Sequence, residues 1–183
     1  MTKAKNLLTY DAVSRINHWI MAIAMIGMLG FGMFLENAEL ERSTLFPLIQ
    51  LHKALGVLVL IYGAWRVGYR LIQGFPPPIG DAPAWQEVAA KAVHWILLAS
   101  IIVLPLSGLI MSLSGGHAVS IFNIVTIPAP GEFPSINEAA SAVHSIGGKV
   151  LLAAVIVHIA GTLKHRIMDR DATLSRMVSG RAG

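Results

Sequence analysis

Cysteine is absent from the 183 residues, which excludes disulfide staples, cysteine-held iron–sulfur clusters and any cofactor attached through a thioether bond. Charge is the second scarcity. Asp, Glu, Lys and Arg make up only 13% of the chain, and none occurs between Ile16 and Leu35 or between Ala92 and Gly131. A soluble domain carries about 25%. What fills the space is apolar: 55% of residues are hydrophobic and the mean hydropathy is +0.65, so lipid is the expected solvent.

The two uncharged runs are read directly as membrane spans. Two further apolar stretches carry charge only where a long basic side chain can snorkel: Lys53, Arg66 and Arg70 in one, Lys149 in the other. The expected architecture is an all-α integral membrane four-helix bundle. It forms one domain over 1–183, with helices at about 16–36, 50–72, 91–113 and 142–166 and a cytoplasmic tail at 167–183. The connections are expected as a polar loop from Asn37 to Pro47, a stiff stretch at Pro76, Pro77 and Pro78, and a long Gly/Pro loop from Ser114 to Pro134. Pro105 falls inside the third span, where membrane helices tolerate it. The first span follows Arg15 but shows no small-residue cleavage site, so it is expected as a retained helix rather than a signal peptide.

Basic residues orient this bundle. Lys3, Lys5, Arg15, Arg66, Arg70, Lys91, Lys164, Arg166, Arg170, Arg176 and Arg181 fall on one side, against Arg42, Lys53 and Lys149 on the other. Both termini are therefore expected in the cytoplasm, and the basic pI of 9.7 is explained by membrane orientation and contact with anionic lipid, with no nucleic-acid role.

Against this hydrophobic background the histidines stand out. His144 and His158 are fourteen residues apart in one apolar stretch. At about 100° and 1.5 Å per residue they share a helix face and lie about 21 Å apart, close to the hydrocarbon thickness. His18 begins the first span and His52 the second, so topology puts His18 level with His158 on the inner side and His52 level with His144 on the outer side. Two pairs result, each drawn from two helices, and facing imidazoles are the ligands a six-coordinate haem requires. The pairs are too far apart for one tetrahedral zinc, and no Cys or intramembrane carboxylate assists them. With no C-x-x-C-H motif, any haem is b-type, and with both axial positions filled its chemistry is electron transfer. Small residues beside the histidines (Ala22, Gly56, Gly147, Gly148, Ala154 and Gly161) leave room for a flat macrocycle, although they equally serve close helix packing.

Other residues carry weaker signals. Lys53 near the outer pair and Arg66 near the inner one are candidate partners for haem propionates, as are Lys149, Arg15 and Arg70, with orientation and snorkelling as the alternative for each. His94 starts the third span at the inner level, where it competes with His18 for the inner iron, contacts a quinone or stands behind another ligand. His165 reads as interfacial and His117 as a solvated loop residue. Trp19, Trp65 and Trp95 read as an aromatic belt, and Met21, Met25, Met28 and Met33 as packing or lipid-facing residues rather than ligands.

From about Tyr10 to Met177 the chain resembles the bacterial cytochrome b561 family. The resemblance lies in Arg15-Ile16-Asn17-His18-Trp19, Leu51-His52-Lys53-Ala54-Leu55-Gly56, Trp65-Arg66, Tyr69-Arg70 and Pro76-Pro77-Pro78. It continues in Ala92-Val93-His94, Leu104-Pro105-Leu106-Ser107-Gly108, Ala142-Val143-His144, His158, Leu163-Lys164-His165-Arg166 and the tail from Asp169 to Met177. The resemblance implies two haem b groups on His18, His52, His144 and His158, and a place in the bacterial inner membrane. It also implies oxidoreduction of ubiquinone, with superoxide or a periplasmic redox partner at the outer face. Three readings stand at this level: a quinone-linked dihaem oxidoreductase acting alone or as a homo-oligomer, a haem-bearing anchor for a separate enzyme as in hydrogenase b-type subunits, and a haem-free His-lined transporter.

Overall fold

A computed structural model of the chain describes residues 9–77, 79 and 82–180. Lys3, Lys5, Pro78 and Arg181 lie outside the described residues. Four long helices dominate: α1 (Ala12–Asn37), α2 (Arg42–Gln73), α3 (Ala84–Ser114) and α4 (Pro134–Lys164), with a short α5 (Thr173–Val178) and strands β1 (Val119–Ile121) and β2 (Val125–Ile127). Each of the four is long and apolar enough to cross a membrane. The protein is an all-α membrane bundle.

The helices start earlier than the apolar runs indicate, because the runs mark only the part that lipid surrounds. α2 begins at Arg42, so the stretch expected as a loop up to Pro47 is largely helical, with Pro47 inside it. A proline this near the start removes a single backbone bond. α3 begins at Ala84, and its polar first turns carry an exposed Lys91–Glu87 ion pair at 3.6 Å. α4 begins at Pro134, a first-turn position at which the missing N–H costs nothing.

The segment expected as a Gly/Pro loop holds an antiparallel hairpin that pairs Val119 with Ile127 and Ile121 with Val125. Its turn runs through Phe122 and Asn123, at φ 51° and 60°, and closes with Ile124 N–H donating to Ile121 O at 3.0 Å. Two consecutive left-handed residues are the signature of the tight turn that matches strand twist. The hairpin packs on α2. The far end of the bundle, where α5 meets the start of α1, is called the terminal side below, and the other the hairpin side.

Helix packing runs α1 on α2, α2 on α3 and α3 on α4, with little direct contact between α4 and α1 or α2. The apolar core joins Met21 and Met25 of α1 to Leu98, Ile101 and Leu104 of α3 and Leu151 of α4. Gly63 allows α2 to close on α3: a Cβ there would lie 2.5 Å from Ile101 Cγ2 and 3.3 Å from its carbonyl oxygen. The many exposed apolar side chains, such as Ile23, Ile61 and Ile156, cover the outside of the spans as lipid contact requires.

The described part of the tail, 167–180, is more ordered than its polar composition indicates. α4 runs on through a π-turn, His165–Asp169, reverses at Arg170 with φ 53°, and α5 folds back towards α1. There the Trp19 indole donates to Met177 O at 3.2 Å, Arg176 Nη1 donates to Pro77 O at 3.0 Å, and the Arg15 guanidinium lies against Gly180.

Candidate functional site

The bundle brings the four histidines into two facing pairs, one from the parallel α2 and α4 and one from the antiparallel α1 and α4. On the hairpin side, His52 of α2 and His144 of α4 have ring centres 6.5 Å apart. On the terminal side, His18 of α1 and His158 of α4 are 6.3 Å apart. With a metal–nitrogen bond of about 2 Å and about 1.1 Å from ring nitrogen to ring centre, two imidazoles on opposite faces of one iron would have centres about 6.2 Å apart. Both spacings match that requirement, and both pairs span the lightly packed side of the bundle where α4 faces α1 and α2.

The hairpin-side pair is set by α3. His144 Nδ1 lies 3.0 Å from Leu104 O and 3.2 Å from Ser107 Oγ. A carbonyl only accepts, so Nδ1 carries the proton and Nε2 keeps its lone pair free for a metal. Ser107 Oγ also donates to the Leu104 carbonyl, at 2.8 Å. Gly108 makes the approach possible: a Cβ there would meet His144 Cε1 at 2.9 Å and Nδ1 at 3.1 Å. Leu104, Ser107 and Gly108 were visible in the sequence as part of a family motif, but the pattern gave no reason for them; the reason is contact with a ring forty residues away in sequence. His52 packs edge-on to Phe31 at 5.5 Å and lies against Gly32, and its Nδ1 is buried without a hydrogen-bond partner.

The terminal-side pair is more crowded. His94 of α3 meets His158 edge-to-face with centres 5.4 Å apart, almost 1 Å short of the spacing that one shared iron demands. His94 is thus placed to hold the His158 ring, and the spacing favours His18 as the partner across the gap. Arg66 Nη2 approaches His18 Nδ1 to 3.5 Å, the outer limit of a hydrogen bond, and Arg66 Nε is buried with no partner. Beside His18, Asn17 is buried and accepts from Tyr62 OH at 2.7 Å. That tie between α1 and α2 has no signature in the sequence.

Of the other candidates, Lys53 is half-buried beside His52 and forms no ion pair among the described residues. Lys149 and His117 are exposed. His165 does more than face lipid: its Nδ1 reaches Asp171 at 2.7 Å and Asp169 at 3.2 Å, while Lys164 pairs with Asp169 at 2.6 Å. Burial would raise the Asp171 carboxyl, but the Thr173 hydrogen bonds and His165 outweigh it and hold Asp171 below the usual carboxylate range. Asp11, the N-cap of α1, behaves alike: burial raises it, and hydrogen bonds from Ser14 and Tyr69 with the Arg70 charge bring it lower. Among the small residues, Gly147 closes on Leu104, a packing role, whereas Gly148 and Gly161 have open space beside them.

A family model described as prokaryotic cytochrome b561 matches residues 9–180. The chain belongs to that family. It is 27% identical over 170 residues to cytochrome b561 homolog 2 of Escherichia coli (strain K12), covering 92% of this chain and 90% of that one. Cytochrome b561 homolog 1 of the same organism is 25% identical over 170 residues, covering 90% and 93%. A probable Ni/Fe-hydrogenase B-type cytochrome subunit of Cupriavidus necator is 24% identical over 216 residues, covering 96% and 86%. The protein is therefore a multi-pass membrane b-type cytochrome of electron transfer, and the reading as a haem-free transporter is set aside.

Proposed function

We propose that this b561-family chain holds two b-type haems, one between His52 and His144 and one between His18 and His158, and passes electrons across the bacterial inner membrane between a quinone and a second redox partner. The observation that carries this reading is the equal spacing of the two ring pairs, 6.5 and 6.3 Å, each at the distance set by two metal–imidazole bonds in line. Held by these imidazoles, haem b would supply one-electron transfer.

The chain's own residues then have separable tasks. The Leu104 carbonyl fixes the His144 tautomer, and donation from Nδ1 makes that imidazole a more basic ligand. His94 braces His158. Arg66 brings a positive charge with a buried, unpartnered N–H beside His18, suited to a propionate and to raising the potential there. Lys53, next to His52 in the chain and half-buried, is the candidate at the hairpin side.

The positive-inside pattern supports cytoplasmic termini, with the hairpin on the periplasmic side. On this orientation ubiquinone is the mobile partner, and superoxide or a periplasmic protein is served at the hairpin side. The likeness to a hydrogenase cytochrome subunit favours one alternative, in which the chain is an anchor taking electrons from a separate enzyme. Mixing the purified cytochrome with ubiquinol tests the choice. Haem reduction by ubiquinol alone, read as the reduced b-type band, supports the quinone-linked reading; reduction seen only after addition of a partner enzyme contradicts it.

A further inference from the structure

Arg176 and Arg70 form a buried pair of cations that neither the histidine pairs nor helix orientation explains. Each is 5% exposed. Arg176 spends one nitrogen on the Pro77 carbonyl, while Nε and Nη2 are buried with no partner. Arg70 donates to the Gly74 carbonyl at 2.7 Å. Both guanidinium groups converge on the Tyr10 ring, at 4.8 Å for Arg70 and 5.8 Å for Arg176, which concentrates like charge around one side chain. Neither makes an ion pair among the described residues. The nearby carboxylate of Asp11 is already accepting from Ser14 N–H and Tyr69 OH. Two buried cations face the single negative charge of Asp11, and the excess positive charge with unpartnered buried donors calls for an anion.

The level of the pair identifies the anion. Arg70 is in the last turn of α2 and Arg176 is beyond the end of α4, bonded to the α2–α3 connection, so both lie at the membrane surface on the terminal side rather than at the depth of His18. Phe75 lies beside Arg70, 5.6 Å from Cζ to ring centre, and meets Trp95 at a 55° tilt with ring centres 5.8 Å apart; the two rings are about half exposed. A buried cationic pair edged by exposed aromatic surface suits a phosphate carrying acyl chains.

We infer that Arg176 and Arg70 bind a phosphoryl oxyanion, the headgroup phosphate of an anionic phospholipid, and that this lipid fastens α5 to α1 and α2. Tyr10 and Phe75 cover the guanidinium groups in the described conformation, so binding parts these rings. This site stands independently of the haem reading.

The test uses the full-length, haem-loaded protein in detergent, freed of lipid, with thermal unfolding followed while phosphatidylglycerol, phosphatidylcholine or inorganic phosphate is added. Phosphatidylglycerol is expected to raise Tm by several degrees and phosphatidylcholine to leave it unchanged. In Arg176→Gln the phosphatidylglycerol needed for half the shift rises about tenfold, while the exposed control Arg166→Gln stays within about twofold. Arg176→Lys, which keeps the charge but loses the fork, falls between them. A full shift from inorganic phosphate alone retains the oxyanion site and assigns it to soluble phosphate. An equal response in Arg176→Gln and unmutated protein overturns the inference, as does an equal loss in the Arg166 control. A changed haem midpoint in Arg176→Gln with an intact lipid response also overturns it and assigns the residue to a propionate. If neither Arg176 variant is recovered, native mass spectrometry of the unmutated protein from mixed phosphatidylglycerol/phosphatidylcholine micelles decides: enrichment of phosphatidylglycerol supports the site, and no preference overturns it.

Discussion

On the hairpin side His144 is held through Nδ1 by a backbone carbonyl of α3, while on the terminal side His158 is met by two other imidazoles and His18 by the fork of Arg66. The ring spacings are nearly equal, 6.5 against 6.3 Å, but the ring planes cross at 89° in one and 55° in the other. One site is oriented by main chain, which cannot move without α3; the other is oriented by side chains, which can. On the proposed dihaem reading, the two pairs would differ in basicity and local charge, and the two centres would differ in potential.

The largest effect that would break this comparison comes from the ligands themselves. His52→Ala or His144→Ala is expected to remove the hairpin-side haem alone, and His18→Ala or His158→Ala the other, so each variant keeps about half the haem per chain by pyridine haemochrome assay. A variant that keeps full haem would take that residue out of the set. Next comes Gly108→Ala. Its Cβ would press on the His144 ring at 2.9 Å, so the hairpin-side centre weakens while the terminal-side centre persists. Gly148→Ala, with open space beside it, is the neutral control.

Smaller effects sharpen the difference between the two ends. Arg66→Gln is expected to lower the midpoint of the terminal-side component by on the order of 60 mV, a tenfold change for one electron, and to leave the other unmoved in a redox titration. His94→Gln keeps both haems and alters only the spectrum of the terminal-side centre, since its 5.4 Å spacing to His158 does not suit a shared iron; loss of a haem would make His94 a ligand in place of His18. The smallest effect concerns pH. Asp171 is held below its unfolded value, so its contribution to the α5 elbow is complete above about pH 4, the unfolded carboxylate value, and is lost as pH falls through the lower folded one. Asp171→Asn should abolish that part of the acid dependence of unfolding.

Much of the bundle was legible because lipid imposes a simple code. Apolar runs located all four spans, and counting helix directions put His52 beside His144 and His18 beside His158, the same rings that face each other in the fold. The code is silent once a helix leaves the hydrocarbon. Arg42, Ala84 and Pro134 begin helices in polar sequence, and hydropathy ended the fourth helix at about 166, inside the π-turn and before the return of α5. The hairpin was hidden for a different reason: its turn puts Phe122 at positive φ, where glycine is the usual signal. At the site, His144 was readable from its own position, whereas the acceptor that fixes its tautomer is a main-chain oxygen, to which sequence assigns no special character.

Haem counting on the unmutated protein tests the central claim most directly. Purified chain, quantified by amino-acid analysis and reduced with dithionite, should contain two b-type haems that a redox titration resolves into two one-electron steps of unequal midpoint. A single haem per chain in fully loaded protein, or none, would contradict the assignment of His18, His52, His144 and His158 as two ligand pairs.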